Sequence, residues 1–185
     1  MWDSAVKDKD MEDQRRALIG KGFAYLAMRS LDKEQKMADE YLKMCEESMN
    51  KRLIGGYYHL QGRIELERKA YARAVEYFNK ALNLLSANSS SHFVITESLA
   101  LAYYRIGYLE QARREYDKID TFYNGRITYG DIYAKSFYML GKIYEQQSDT
   151  AKTIDHYEKF LSLWKDADPG IAEVDDARER LAGLR

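Results

Sequence analysis

The chain has 185 residues, 29 Lys+Arg against 30 Asp+Glu, a net charge of −1 and 45% hydrophobic residues. Disorder needs low hydrophobicity with a large net charge, and a dedicated DNA or RNA binder needs a basic excess, so composition excludes both. No apolar run approaches the roughly 18 residues of a membrane span, Met1-Trp2-Asp3-Ser4 lacks a leader's basic-then-apolar layout, and the lone Cys45 excludes an intramolecular disulfide; the expected address is the cytoplasm, with no membrane partner.

One proline and 11 glycines leave little to interrupt helices, and apolar residues recur every three or four positions. In chain order this predicts helices over Met11–Arg29, Glu34–Ser48 and Gly56–Glu67, then one around the stripe Ala74, Val75, Phe78, Ala81, Leu82, Leu85. It predicts five more over His92–Arg105, Leu109–Ile119, Asp131–Gln147, Ala151–Lys165 and Ile171–Leu184. Nine helices with short connections result. Gly107 suits a left-handed helix C-terminus, and Asp149 suits an N-cap.

Three segments align without a gap: Tyr58 to Leu82, Thr96 to Asp120 and Phe137 to Leu161. Each places a small residue in its first helix, at Gly62, Ala100 and Gly141. Small residues recur in the second helix at Ala74, Ala112 and, less well, Thr153, with aromatics four residues on at Phe78, Tyr116 and Tyr157. The small residues let facing helices approach, and the rings fill the space between them. A fixed period implies stacked units.

These residues resemble the tetratricopeptide repeat (TPR) family, whose unit is a helical hairpin of about 34 residues. The resemblance is carried by Tyr58-Tyr-His-Leu-Gln-Gly62 with Ala74-Val-Glu-Tyr-Phe78, and by Leu140-Gly141-Lys-Ile-Tyr144 with Tyr157-Glu-Lys-Phe160. A weaker unit precedes them, with Ala38, Leu42 and Cys45 in its second helix and its first helix aligned on either Gly22 or Ala24. The family's tryptophans and closing prolines are missing. The resemblance implies an all-α, right-handed solenoid forming one domain, with hairpins over 13–49, 55–86, 92–120 and 131–165 and a capping helix over 170–184. In that last helix Ile171, Val174, Ala177 or Arg178, and Leu181 form the apolar stripe, and Asp175, Asp176, Glu179 and Arg180 the solvent face.

His59, His92 and His156 are isolated, and no nucleophile, base and stabiliser share a recognisable spacing, so no enzyme, metal site or cofactor is read. Cys45 reads as a core residue, and Gly20-Lys21-Gly22 lacks the context of a phosphate loop. The family instead implies a scaffold that holds a partner's peptide or helix in a concave groove lined by first helices. Carried over by alignment, the groove residues are His59, Arg63 and Glu67, then Glu97, Leu101, Tyr104 and Arg105, then Lys135, Tyr138 and Lys142. Arg63 and Lys142 would attract acidic groups of the partner protein; Tyr104 and Tyr138 would supply apolar contact. Self-association as a regulatory module of a larger prokaryotic signalling protein is the alternative reading. The insertion 120–130 is aromatic, and its rings are expected to pack on the neighbouring repeat or to meet a partner.

Overall fold

The structure, a computed structural model, describes residues 13–14, 17–22, 24–25, 28, 30–47, 53–86, 89–122 and 127–184. The chain divides into two compact units, Met1–Ala87 and Asn88–Arg185. The first contains α1 (Leu31–Glu46), α2 (Ile54–Glu67) and α3 (Tyr71–Leu84). The second contains α4 (Ser90–Ile106), α5 (Leu109–Thr121), α6 (Gly130–Gln146), α7 (Thr150–Leu163) and α8 (Ala172–Gly183). Residues 17–22 are also helical; the rest of the expected helix Met11–Arg29 lies largely outside the described residues. The helices α1 to α8 are ones the apolar period predicts, with ends displaced by no more than three residues.

In the first unit α2 and α3 form a hairpin, and α1 packs on α2. Ala38, Leu60 and Ile64 make a buried cluster covered by Ile19 and Tyr57. Of the two small residues on which the first helix can be aligned, Gly22 is buried and Ala24 exposed. A β-carbon on Gly22 would stand 2.8 Å from Leu60 Cδ2, so α2 is what makes that site small. Ala74, Phe78 and Ala81 are the buried side of α3, as the stripe requires.

In the second unit the hairpins α4–α5 and α6–α7 follow each other, and α6 packs on α5 and, over fewer residues, on α4. Phe93, Ala100, Ala112, Tyr116, Leu140 and Ile143 share one buried cluster. A second joins Ala134, Tyr138, Tyr157 and Phe160 to Val174, Ala177 and Leu181 of α8. Ala177 is buried and Arg178 exposed, which settles the stripe of α8. Asp175 and Glu179 lie on its solvent side as expected, whereas Asp176 and Arg180 turn toward α6. One helical turn apart, those two share a face that borders the stripe and does not oppose it.

Tyr123 to Arg126 of the aromatic insertion lie outside the described residues. Its described rings pack inward: Phe122 meets Phe93 edge-on at 5.8 Å, and Tyr129 stacks on Phe93 at 6.0 Å.

The three hairpin turns share one backbone feature. Lys69, Gly107 and Ser148 have φ of 62°, 89° and 60°. Only Gly107 adopts this left-handed region without steric cost. After the third turn Asp149 accepts a hydrogen bond from the Lys152 amide at 3.2 Å, capping α7. Among the described residues no helix is long and apolar enough to cross a membrane.

Candidate functional site

In the second unit, helical spacing puts Glu97, Leu101, Tyr104 and Arg105 on one side of α4, and Lys135, Tyr138, Lys142 and Glu145 on one side of α6. Glu173, Asp176 and Arg180 of α8 meet that side of α6. Lys135 Nζ pairs with Glu173 Oε1 at 3.0 Å. The Tyr138 hydroxyl donates to Asp176 Oδ2 at 2.7 Å and accepts from Lys142 Nζ at 3.4 Å, while the same ammonium lies 5.2 Å above the Tyr138 ring. Arg180 donates from Nε to Asp176 at 2.7 Å and from Nη1 to Glu145 Oε2 at 2.9 Å. Glu145 Oε2 also accepts from the Tyr157 hydroxyl of α7 at 2.8 Å. One helix earlier, Gln146 Nε2 donates to the Tyr104 hydroxyl at 2.7 Å and ties α6 to α4.

Burial beside carboxylates pushes the Tyr138 and Tyr157 phenols up. The Arg180 guanidinium holds the Asp176 carboxyl below its ordinary value. Both phenols therefore act as neutral donors, and Asp176 as an anion. Of the residues expected on this face, Tyr138 is buried at 7% exposure and serves the core as well as the polar row. Lys135 and Lys142 already have anionic or aromatic neighbours. Leu101, Tyr104 and Glu97 are half-buried, and Arg105 is exposed.

In the first unit the three expected residues separate by environment. His59 is buried at 7% exposure, edge-on to Phe78 with ring centroids 6.3 Å apart. Burial, aided by the Arg63 cation, drives its imidazole down to about 3, so it is neutral at physiological pH. Arg63 is half-buried and Glu67 exposed. The Arg63 charge also reaches Glu34 on α1, a fully buried carboxylate whose two oxygens have no hydrogen-bond partner among the described residues. Burial outweighs that cation and lifts Glu34 to about 7. An open cleft of about 460 Å³ in this unit is lined by Ala17, Leu18, Lys21, Lys43, Met44 and Glu47 among others, away from all these residues.

Cys45 is buried, and among the described residues no three His, Cys, Asp or Glu side chains are grouped to hold a metal ion. Sequence reasoning missed Gln146 and the inward role of Glu173, Asp176 and Arg180. The available signal was their spacing, since 173, 176 and 180 flank the apolar positions 174, 177 and 181.

Helical hairpins in series, each closed by a small residue against a ring, define a helical-repeat protein. The Tetratricopeptide repeat family model matches residues 55–85 and 134–163, the hairpins α2–α3 and α6–α7. A TPR repeat-containing protein of Methanocaldococcus jannaschii is 34% identical over 107 residues, which make up 58% of this chain and 18% of that protein. The match thus spans under a fifth of that relative's length. Among solved structures, BtubC (BKLC) from P. vanneervenii superposes with a TM-score of 0.72 at 19% identity, covering 97% of this chain and 80% of the other. The nearly identical TPR-like repeats of a kinesin-light-chain candidate from Podosopora anserina give 0.70 at 12% identity, covering 92% and 85%. At these identities the likeness is one of fold.

Proposed function

We propose that the chain is a cytoplasmic protein-interaction scaffold whose second unit receives an acidic segment of a partner protein along α4 and α6. The carrying observation is the Tyr104–Gln146 contact, which joins the two helices at 2.7 Å beside Leu101, Arg105 and Lys142. A partner laid there meets the apolar side chain of Leu101, the Tyr104 ring and two cations on helices fixed by a packed core. Rigid helices lose little entropy on binding, and the cations favour acidic groups over basic ones. In the first unit Arg63 is the cation of this kind, since the neutral His59 carries no charge.

A photo-crosslinking amino acid at Leu101 is expected to capture the partner in a lysate of the source cells, whereas the same group at Arg178 is not. Arg105→Glu with Lys142→Glu abolishes that capture without loss of helicity. Equal capture from both positions, or capture unaffected by the double substitution, moves the binding face elsewhere.

Self-association is a second reading, favoured by the ion-paired seat of α8 on α6.

A further inference from the structure

α8 is held on its hairpin by a narrow apolar patch between charged rows. Val174, Ala177 and Leu181 are its buried side chains, received by Ala134, Tyr138, Tyr157 and Phe160. Around them, anions at Glu173 and Asp176 meet Lys135 and the Tyr138–Lys142 pair, and the cation of Arg180 meets Glu145. The order of charges on α8 is complementary to that on α6. The Lys135–Glu173 pair is open to water, at 42% and 34% side-chain exposure. Exposed pairs of this kind direct association more than they hold it.

The tether to α8 is not helical. Residues 164–171 hold the chain's one proline, Pro169, followed by Gly170 at φ 89°. α7 has already ended at Leu163, and Pro169 with Gly170 bends the tether just before α8, so the path of α8 is set by its seat and by this bend. Eight residues reach at most about 26–29 Å when extended. That length allows the helix to leave its own hairpin and lie on that of a neighbour.

We propose that α8 exchanges between two copies of this chain, each copy's Glu173, Val174, Asp176, Ala177 and Leu181 occupying the seat on the other's α6 and α7. Every contact of the closed form is reproduced in the exchanged one, so the seat fits a second copy's α8 as well as its own. Reciprocal exchange closes on itself and stops at a dimer. The exchange needs no ligand on α4; it shares Lys142 with the binding face above, and Arg105→Glu alone, outside the seat, tests that face without touching the exchange.

Two full-length variants test it. Lys135→Glu with Lys142→Glu reverses the seat, and Glu173→Lys with Asp176→Lys reverses the helix. Each alone sets like charges against one another, within a copy and between copies, and is expected to be monomeric. Mixed in equal amounts, the two are expected to form a one-to-one complex of doubled mass by light scattering, dispersed by 0.5 M salt. A mixture in which both variants are helical yet stays at monomer mass overturns the proposal. Wild-type chains labelled separately with donor and acceptor dyes give an independent reading that needs no charge reversal. Energy transfer that rises with concentration is expected, and its absence after long incubation at high concentration also overturns the proposal.

Discussion

A β-carbon on Gly141 would stand 2.5 Å from Cε1 of Tyr157, so the ring occupies the space that glycine leaves open. Phe78 does the same over Gly62, with Cδ1 2.6 Å from where that carbon would be. Both rings are fully buried. In the intervening repeat Ala100 and Tyr116 are both buried, so there the chain accommodates one methyl group. Gly62→Ala is expected to destabilise the first unit by about 1–3 kcal/mol through overpacking, despite the roughly 1 kcal/mol that alanine gains over glycine in a helix. Urea unfolding followed by circular dichroism measures this, and Phe78→Leu in the same chain should recover part of the loss. Simple addition of the two effects would show that the residues do not share the space.

The turns offer a second test. Lys69 and Ser148, in the first and third turns, sit at left-handed φ values where the second turn has Gly107. Lys69→Gly and Ser148→Gly should each stabilise the fold by about 0.5–1 kcal/mol, the relieved strain exceeding the added chain entropy of glycine. Gly107→Ala should destabilise by about 1 kcal/mol. Thermal melts of the three single variants decide the order.

Glu34 and His59 set opposing pH dependences within one unit. Glu34 is raised from 4.5 to about 7, so between those values the folded state holds more protons than the unfolded one, and stability falls as pH rises. His59 is lowered from 6.5 to about 3, so in that interval the unfolded state holds more protons, and stability falls as pH drops. Between about 4.5 and 6.5 the two slopes oppose and largely cancel. Glu34→Gln should therefore expose the histidine, with unfolding free energy declining below pH 6.5 by up to about 1.4 kcal/mol per pH unit. His59→Phe should expose the glutamate, with stability lost between pH 4.5 and 7. Identical pH profiles for both variants and the parent chain would contradict the buried, unpartnered state of Glu34.

Arg180→Ala removes the guanidinium shared by Glu145 and Asp176. Its half-exposed position limits the expected loss to about 1 kcal/mol, concentrated in α8. Hydrogen exchange should quicken in Ala172–Gly183 while α4 and α5 keep their protection. Uniform acceleration throughout the second unit would mean that α8 and the hairpins open together.

The repeat hairpins are legible in the sequence because packing through a missing or single methyl group leaves a fixed mark: Gly62 with Phe78, Ala100 with Tyr116, Gly141 with Tyr157. The stripe of α8 is legible for the same reason. Charged residues leave no such mark. Asp176 and Arg180 read as solvent-facing because polarity alone does not say which side of the stripe a charge falls on. Their hydrogen-bond partners Tyr138 and Glu145 lie on another helix, 38 and 35 residues away. His59, aligned with groove residues, is covered by Phe78, and Glu34 is buried beyond anything its spacing suggests. Left-handed turns at Lys69 and Ser148 are hidden because neither residue type announces that conformation.

Trp164 follows the last residue of α7, its indole 6.1 Å from the ring of Phe160, in the same cluster that receives Val174 and Leu181. The segment leading to the final helix thus begins with an intrinsic fluorophore resting on the surface that helix covers. Undocking would wet the indole and shift its emission to the red, so the chain carries its own optical gauge of whether its last helix is in place.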